Sequence, residues 1–187
     1  MLGTRARRIP GVAAMWPGAR AAGFALPVRA VGGDNLALHR ALAAAREGEI
    51  LVVDGGGGET VGVWGALMTI AAQTARVEAI VVDGAVRDLA EISRRHFPVF
   101  ATGTAPHAAT KQAPGTVGEA IRIRGVDVEP GDLVVADSDG VVVVEADLVD
   151  DVVESVRTLR RRERAIARRL RRGESTVAVL GLADVEA

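Results

Sequence analysis

Ala79-Ile80-Val81-Val82-Asp83-Gly84-Ala85-Val86-Arg87-Asp88 runs from an apolar stretch through a turn signal into two opposite charges. The apolar run Ala79 to Val82 predicts a strand buried on both faces, ending at Asp83-Gly84. Leu89 to Arg95 then suggests a short helix. Ligands of α/β sheets bind at the C-terminal ends of the strands, so residues 83–88 form the first candidate site. Arg87 offers a planar fork for a carboxylate or an enolate oxygen. Asp88 offers a hard oxygen ligand for Mg²⁺, which takes few protein ligands and keeps its waters. Glu91 lies one turn on. The same pattern also reads as a helix N-cap with a local ion pair, and spacing alone leaves both readings open.

On either side of this stretch, helices and strands alternate. Phe24 to Val31 reads as a strand, Leu36 to Arg46 as a helix capped by Asp34 or Asn35, and Glu49 to Val53 as a buried strand. A glycine-rich loop, Asp54 to Gly58, precedes a helix from Gly65 to Arg76. Val99 to Thr102 is another strand, and residues 103–117 are a loop rich in Gly, Pro and Thr. Short strands follow at Glu119 to Arg124, Val126 to Val128, Leu133 to Ala136 and Val141 to Glu145. Pro130-Gly131-Asp132 and Asp137-Ser138-Asp139-Gly140 are the turn signals between them. A long helix covers about 147–172, ended by Gly173, and Ser175 caps a last short turn. Residues 1–23 show no clear period. The order predicts an α/β domain of layered sheets with flanking helices.

Composition agrees. The chain has 187 residues, 49% of them hydrophobic but only 3% aromatic, so Val, Leu, Ile and Ala must build the core. A net charge of -1 gives no global attraction to nucleic acid. The absence of cysteine excludes disulfides, thiolate zinc sites and a cysteine nucleophile. Arg5, Arg7 and Arg8 precede residues too broken by Pro10, Pro17, Gly18 and Arg20 for a signal peptide, and no run approaches a membrane span. The expectation is a cytoplasmic protein with neither a nucleic-acid nor a membrane partner.

Gly55 to Gly58 is not a dinucleotide fingerprint, whose third glycine would fall on Thr60. It is not a phosphate loop either, since the only lysine is Lys111. A flexible loop bordering a site is the preferred reading. Val149, Val152, Val153, Val156, Leu159, Ile166 and Leu170 form one helical stripe with Glu163 in its middle. A carboxylate on an apolar face is costly unless paired or used. Glu163 is therefore read either as one half of a buried ion pair or as a site residue delivered to a cleft or subunit interface. The arginines from Arg157 to Arg172 lie mostly away from the stripe, as on a solvated face. His39, His96 and His107 have no metal-ligand spacing, and His107 is the best placed of them to reach a substrate.

Taken together, Trp16–Gly23, Gly33–Arg40, Val82–Glu91, Pro98–Ala101, Pro130–Asp137 and Asp139–Val143 resemble one family. It comprises the 4-hydroxy-4-methyl-2-oxoglutarate aldolases and the regulator of ribonuclease activity A. The Arg-Asp-X-X-Glu element, here Arg87 to Glu91, is its most specific part. The resemblance implies a swivelling β/β/α fold spanning residues 1–187, in a homotrimer or hexamer with sites between subunits. It implies a pyruvyl aldolase that cleaves 4-hydroxy-2-oxo diacids or decarboxylates oxaloacetate. Asp88 would anchor Mg²⁺ or Mn²⁺, and Arg87 would steady the enolate. The segment Gly65, Leu67 and Met68 would bind the substrate carboxylate through backbone N–H groups. Glu163 matches a carboxylate contributed by the neighbouring subunit.

Two departures stand out. The aldolases usually carry an acidic residue after the equivalent of Gly65, where this chain has Ala66, so Glu59, Glu91 or His107 would have to substitute. Helices usually precede the Trp-Pro-Gly segment, where this chain has a short Arg-rich lead. Asp88 favours the enzyme. Ala66 favours the alternatives, which are a non-catalytic protein-binding regulator of ribonuclease activity or a related lyase with a changed substrate.

Overall fold

The computed structural model of the chain describes residues 6–56, Gly58 and residues 60–182. Arg5, Gly57 and Glu59, named above, lie outside the described residues. The centre is a parallel stack of β3 (Ala21–Arg29), β4 (Glu49–Asp54), β6 (Ala79–Val86) and β7 (Val99–Thr104). Where β4 ends, β5 (Val61–Trp64) pairs with the last residues of β6. Beyond β3 the sheet turns antiparallel through β12 (Leu133–Asp137), β13 (Gly140–Val144) and β1 (Ala6–Ile9). The hairpin β10 (Ile121–Ile123) and β11 (Val126–Val128) forms a small separate sheet.

Alternation along the central strands explains the layering. Leu51, Val53, Ile80 and Val82 pack on α1 (Leu36–Ala44), α2 (Ala66–Thr74) and α3 (Leu89–Arg94) through Leu38, Met68 and Ile92. Their neighbours Ile50, Val52, Ala79 and Val81 pack the other way, against Ile121, Ile123 and Val128 of the hairpin and Val134, Val141 and Val143. Each of the Val, Leu and Ile side chains among them contributes about 1.5–3 kcal/mol when fully buried. Helices, parallel sheet and curled-over antiparallel strands are the swivelling β/β/α arrangement.

Several sequence expectations need correction. β6 does not end at Asp83-Gly84 but continues to Val86. A register shift against β7 between Val82 and Ala85 absorbs the glycine, and the Thr102 hydroxyl donates to the Gly84 carbonyl at 3.1 Å. Strand β5 is not apparent in the sequence, because four residues after a glycine loop carry little pattern. The N-terminal stretch holds β1 and β2 (Ala13–Ala14), and the loop 103–117 holds β8 (His107–Ala108) and β9 (Thr116–Val117). Helix α1 stops at Ala44, short of Arg46.

The long C-terminal helix begins with a 3₁₀ turn, Ala146–Leu148, and continues as α4 (Val149–Arg171). Asp150 and Asp151 in its first turn and Arg168, Arg169 and Arg171 in its last complement the helix dipole. Gly173, at φ +89°, closes it, with N–H groups of Gly173 and Glu174 donating to Leu170 and Arg169 carbonyls. Ser175 caps α5 (Thr176–Leu180) by accepting from the Ala178 N–H at 3.1 Å. Only the root of α4 is buried, at Val152; Leu159 is 47% exposed. Among the described residues, no helix is long and apolar enough to cross a membrane.

Asp34 ties α1 to the loop after β8. Burial opposes its charge. The Thr110 hydroxyl, donating at 2.6 Å, and the N–H groups of Gln112, Leu36 and Ala113 outweigh that and hold its carboxyl well below the usual range. A depressed carboxyl contributes its stability in full above the unfolded value, about 3.9, and loses it as pH falls toward the folded one. Asp34→Asn is therefore expected to lower the urea midpoint at pH 7, with the gap to the native chain shrinking below about pH 4. A gap of equal size at pH 3 and pH 7 would contradict this account of Asp34.

Candidate active site

The end of β6 builds the site. The Arg87 N–H donates to the Trp64 carbonyl at 2.9 Å, locking the β6 exit onto β5. The stem of Arg87 then lies over two glycines. A Cβ on Gly62 would meet Arg87 Cβ at 3.0 Å, and one on Gly65 would meet Arg87 Cγ at 3.1 Å. Asp88 adopts φ 62°, ψ 32°, a left-handed backbone that costs an L-residue on the order of 1 kcal/mol. Its side chain does not cap α3, the helix it precedes. Instead Oδ2 accepts from the Ala66 N–H at 3.0 Å, at the start of α2, and lies 3.8 Å from Arg87 Nη1. The N-cap reading is thus corrected: Asp88 serves the N-terminus of a different helix, while the local ion pair exists.

The approach is close. A Cβ on Gly65 would stand 2.6 Å from Asp88 Oδ2, so Gly65 is the residue that lets the carboxylate reach α2. Leu67 and Met68 follow Ala66, and their N–H groups lie ahead of the first intrahelical bond, from the Thr69 N–H to the Gly65 carbonyl. This helix start carries partial positive charge and suits an anion. Beside it opens a pocket of about 410 Å³ lined by Arg87, Asp88, Leu89, Val86, Thr104, Ala105 and Pro106.

Sequence reasoning points to Arg87, Asp88, Gly65, Leu67 and Met68, and the structure brings them together. It misses the residues that hold them. The Trp64 indole donates to the Thr69 hydroxyl at 2.9 Å, and the Asn35 amide donates to the Val63 carbonyl at 2.9 Å, fixing β5 and α2. Glu91 is committed to Arg94 at 3.0 Å and Arg95 at 2.8 Å, so it does not stand in at the Ala66 position. His107 is exposed on β8 and lies outside the pocket lining. His39 is half-buried, and burial with the charge of Lys111 pushes its pKa down.

Glu163 is exposed on α4 and does not line the pocket of its own chain. Leu67, 79% exposed, and Ile70, 39% exposed, present apolar surface on α2 next to the site. Among the described residues the glycine loop is stitched down at three points: the Gly55 N–H donates to the Asp83 carbonyl at 3.1 Å, the Gly56 N–H to Asp54 Oδ1 at 3.2 Å, and the Gly58 carbonyl accepts from the Ala85 N–H at 3.4 Å. A larger cleft, about 450 Å³, is lined by Arg7, Asp127, Glu129, Asp132, Glu145 and Asp147. Its buried Asp132 accepts from the N–H groups of Glu129 and Ala146, which marks a structural clasp rather than a reactive centre.

An Arg-Asp pair beside a helix N-terminus, at the C-terminal end of a parallel strand, stands where open α/β sheets bind their ligands. The model of the RraA-like family, described as Aldolase/RraA, matches residues 1–143, and the chain belongs to that family. A relative in Halalkalibacterium halodurans, provisionally named a 4-hydroxy-4-methyl-2-oxoglutarate aldolase, is 35% identical over 149 residues, 78% of this chain and 71% of that protein. An uncharacterised protein of Methanocaldococcus jannaschii is 38% identical over 120 residues; the match covers 64% of this chain and only 58% of that protein's length. The crystal structure of Streptomyces coelicolor RraAS2, described as an unusual member of the RNase ES inhibitor RraA protein family, superimposes with a TM-score of 0.79. Its identity is 31%, over 87% of this chain and 84% of that one.

Proposed function

We propose that the chain is a divalent-cation-dependent carbon–carbon lyase acting on 2-oxo acids in the cytoplasm. Its reactions would be cleavage of 4-hydroxy-2-oxo diacids and decarboxylation of oxaloacetate. The observation that carries this reading is Asp88, strained, pinned through one oxygen to α2 and set beside Arg87. Both contacts use Oδ2, and Oδ1 takes part in no hydrogen bond among the described residues. No group of three or more His, Cys, Asp or Glu suited to a metal occurs among those residues. That donor set fits a hard, largely hydrated cation such as Mg²⁺ or Mn²⁺ held by Asp88, and not a zinc-type site. When bound, the cation supplies Lewis-acid polarisation of the substrate's keto oxygen.

The chain's own groups do the rest. The N–H groups of Leu67 and Met68 hold the substrate carboxylate, with Gly65 leaving room for Asp88 beside them. In aldol cleavage the distal hydroxyl loses its proton to water, its carbon becomes the carbonyl of the departing fragment, and the electron pair of the broken carbon–carbon bond becomes the pyruvate enolate. Arg87 donates hydrogen bonds to that oxygen as its charge grows, which lowers the barrier more than it stabilises the neutral ketone. Protonation of the enolate gives pyruvate. Loss of carbon dioxide from oxaloacetate produces the same enolate. Glu163 arrives from a neighbouring copy in a homotrimer or hexamer. Leu159 and Ile166 flank it on α4 and match the exposed Leu67 and Ile70 of α2.

Ala66 shapes the balance between the two reactions. Its N–H serves Asp88, but its side chain offers no proton acceptor. General acid–base help is typically worth about 10²–10⁴-fold, so aldol cleavage is expected to be slow and oxaloacetate decarboxylation favoured. Ala66→Glu is expected to shift the ratio toward cleavage. If the native chain cleaves a hydroxy-oxo diacid as fast as the variant does, another group already takes the proton. Gly65→Ala tests the geometry: a methyl 2.6 Å from Asp88 Oδ2 must displace it, and a displacement of that order costs roughly 10²-fold in turnover. Unchanged turnover with a native circular dichroism spectrum would contradict the assigned packing.

Ala66 also favours a second reading, a non-catalytic regulator that binds a protein, as the description of the Streptomyces relative suggests for that protein. Pyruvate release from a panel of oxaloacetate and hydroxy-oxo diacids separates the two readings, since a regulator releases none.

A further inference from the structure

Helix α4 carries charge of one sign along one side. Residues 157–172 hold nine arginines and a single acid, Glu163, in a chain whose net charge is only -1. Arg157, Arg160, Arg161, Arg164, Arg168 and Arg171 follow one another at helical spacing. At 3.6 residues per turn they share an arc of about 120°, and at 1.5 Å per residue they run for about 21 Å. All six are exposed. Arg157 and Arg161 lie 3.6 and 3.1 Å from Glu154. Arg160, Arg164, Arg168 and Arg171 make no ion pair among the described residues.

Like charges three and four residues apart weaken a helix. A helix face that only meets water commonly alternates the two signs. Here the alternation stops after Glu154, so the rest of the arc complements an extended anion outside the chain. Its geometry favours one kind. Leu159, Ile166 and Leu170 lie on the side of α4 away from the arginines, so an anionic membrane that took up the apolar side would leave the arginines in water. Helix α4 has no aromatic residue on which unpaired bases could stack. A helix with its side chains is about 10–12 Å across, which fits the ~12 Å major groove of B-form DNA and not the narrow groove of duplex RNA. In that groove the arc faces two rows of phosphates, one on each wall, where an extended acidic peptide offers one row. Only the root of α4 is buried, so the arginine side stands clear of the body.

We propose that the arginine side of α4 seats in the major groove of double-stranded DNA and grips phosphates on both strands without reading the sequence. The guanidinium forks suit phosphate oxygens. This surface is separate from the Arg87–Asp88 pocket, which none of these arginines lines. It also lies away from the apolar stripe that carries Glu163, so it stays free whether or not copies of the chain associate there.

Fluorescence anisotropy of a labelled, mixed-sequence DNA duplex of about two helical turns, titrated with the full chain, tests it. The native chain is expected to bind with a Kd on the order of 10⁻⁵ M or tighter at about 0.1 M salt. The logarithm of its affinity should fall against the logarithm of salt with a slope of about -4, as four otherwise unpaired arginines displace counterions. Arg164→Glu combined with Arg168→Glu should weaken binding by on the order of tenfold or more and flatten that slope, with the helical circular dichroism kept. Arg164→Lys combined with Arg168→Lys, which keeps the charge, should bind close to the native level. No binding by the native chain at that salt, or equal binding by the glutamate variant, would overturn the proposal. So would equal binding of single-stranded DNA, duplex RNA, polyglutamate or phosphatidylserine vesicles.

Discussion

Asp88→Ala is expected to abolish cation-dependent pyruvate release, a loss on the order of 10³-fold or more, while the fold survives. Asp88 lies in the turn between β6 and α3, and its carboxylate accepts from the Ala66 N–H and lies 3.8 Å from Arg87 Nη1. Removing it deletes no core contact, and leaving alanine in the left-handed backbone adds a cost of only on the order of 1 kcal/mol. Thermal stability should therefore stay near that of the native chain, while Mn²⁺ affinity, measured by calorimetry, should collapse. Asp88→Asn makes a sharper variant. It keeps an oxygen for the Ala66 N–H but loses the charge, so it should retain local structure and still lose the cation. Retention of Mn²⁺ affinity in either variant would place the cation elsewhere.

Glu163→Gln is expected to lower turnover on oxaloacetate by about 10²–10⁴-fold, the range for losing a group that returns a proton, here to the enolate. Within one chain Glu163 has no part in the pocket, so its effect must come from a neighbour. Mixing decides this. Inactive Asp88→Ala chains and impaired Glu163→Gln chains, allowed to exchange subunits, form some sites with a native Asp88 from one chain and a native Glu163 from another. Part of the native turnover should then return. No recovery, despite proven subunit exchange, would remove Glu163 from the site. Leu159→Glu and Ile166→Glu should weaken the same association, because both residues flank Glu163 on the apolar stripe.

The parts of this fold that are readable in the sequence are those in which one signal dominates. Ile50 to Val53 and Ala79 to Val82 are apolar at every position because both faces of the central sheet are covered, and few other short elements tolerate such runs. The end of β6 is easily misread because Asp83-Gly84 has turn chemistry. Only the tertiary pairing with β7, and the hydroxyl of Thr102, keeps those residues in the strand. β1 escapes notice because Arg7 and Arg8 interrupt any alternation, and its place is set by register with β13, far away in sequence. At the site, the residue types of Arg87 and Asp88 are legible. The left-handed backbone of Asp88, its reach to α2, and the need for Gly62 and Gly65 beneath Arg87 are long-range geometry that no local pattern encodes.

Pyruvate release from oxaloacetate by the purified full chain, stripped with a chelator and then titrated with Mg²⁺ or Mn²⁺, tests the central claim most directly. The account predicts no release above the uncatalysed rate in the stripped protein, saturable recovery with added cation, and no recovery in Asp88→Ala. Full turnover in the presence of the chelator, or equal recovery in Asp88→Ala, would contradict it.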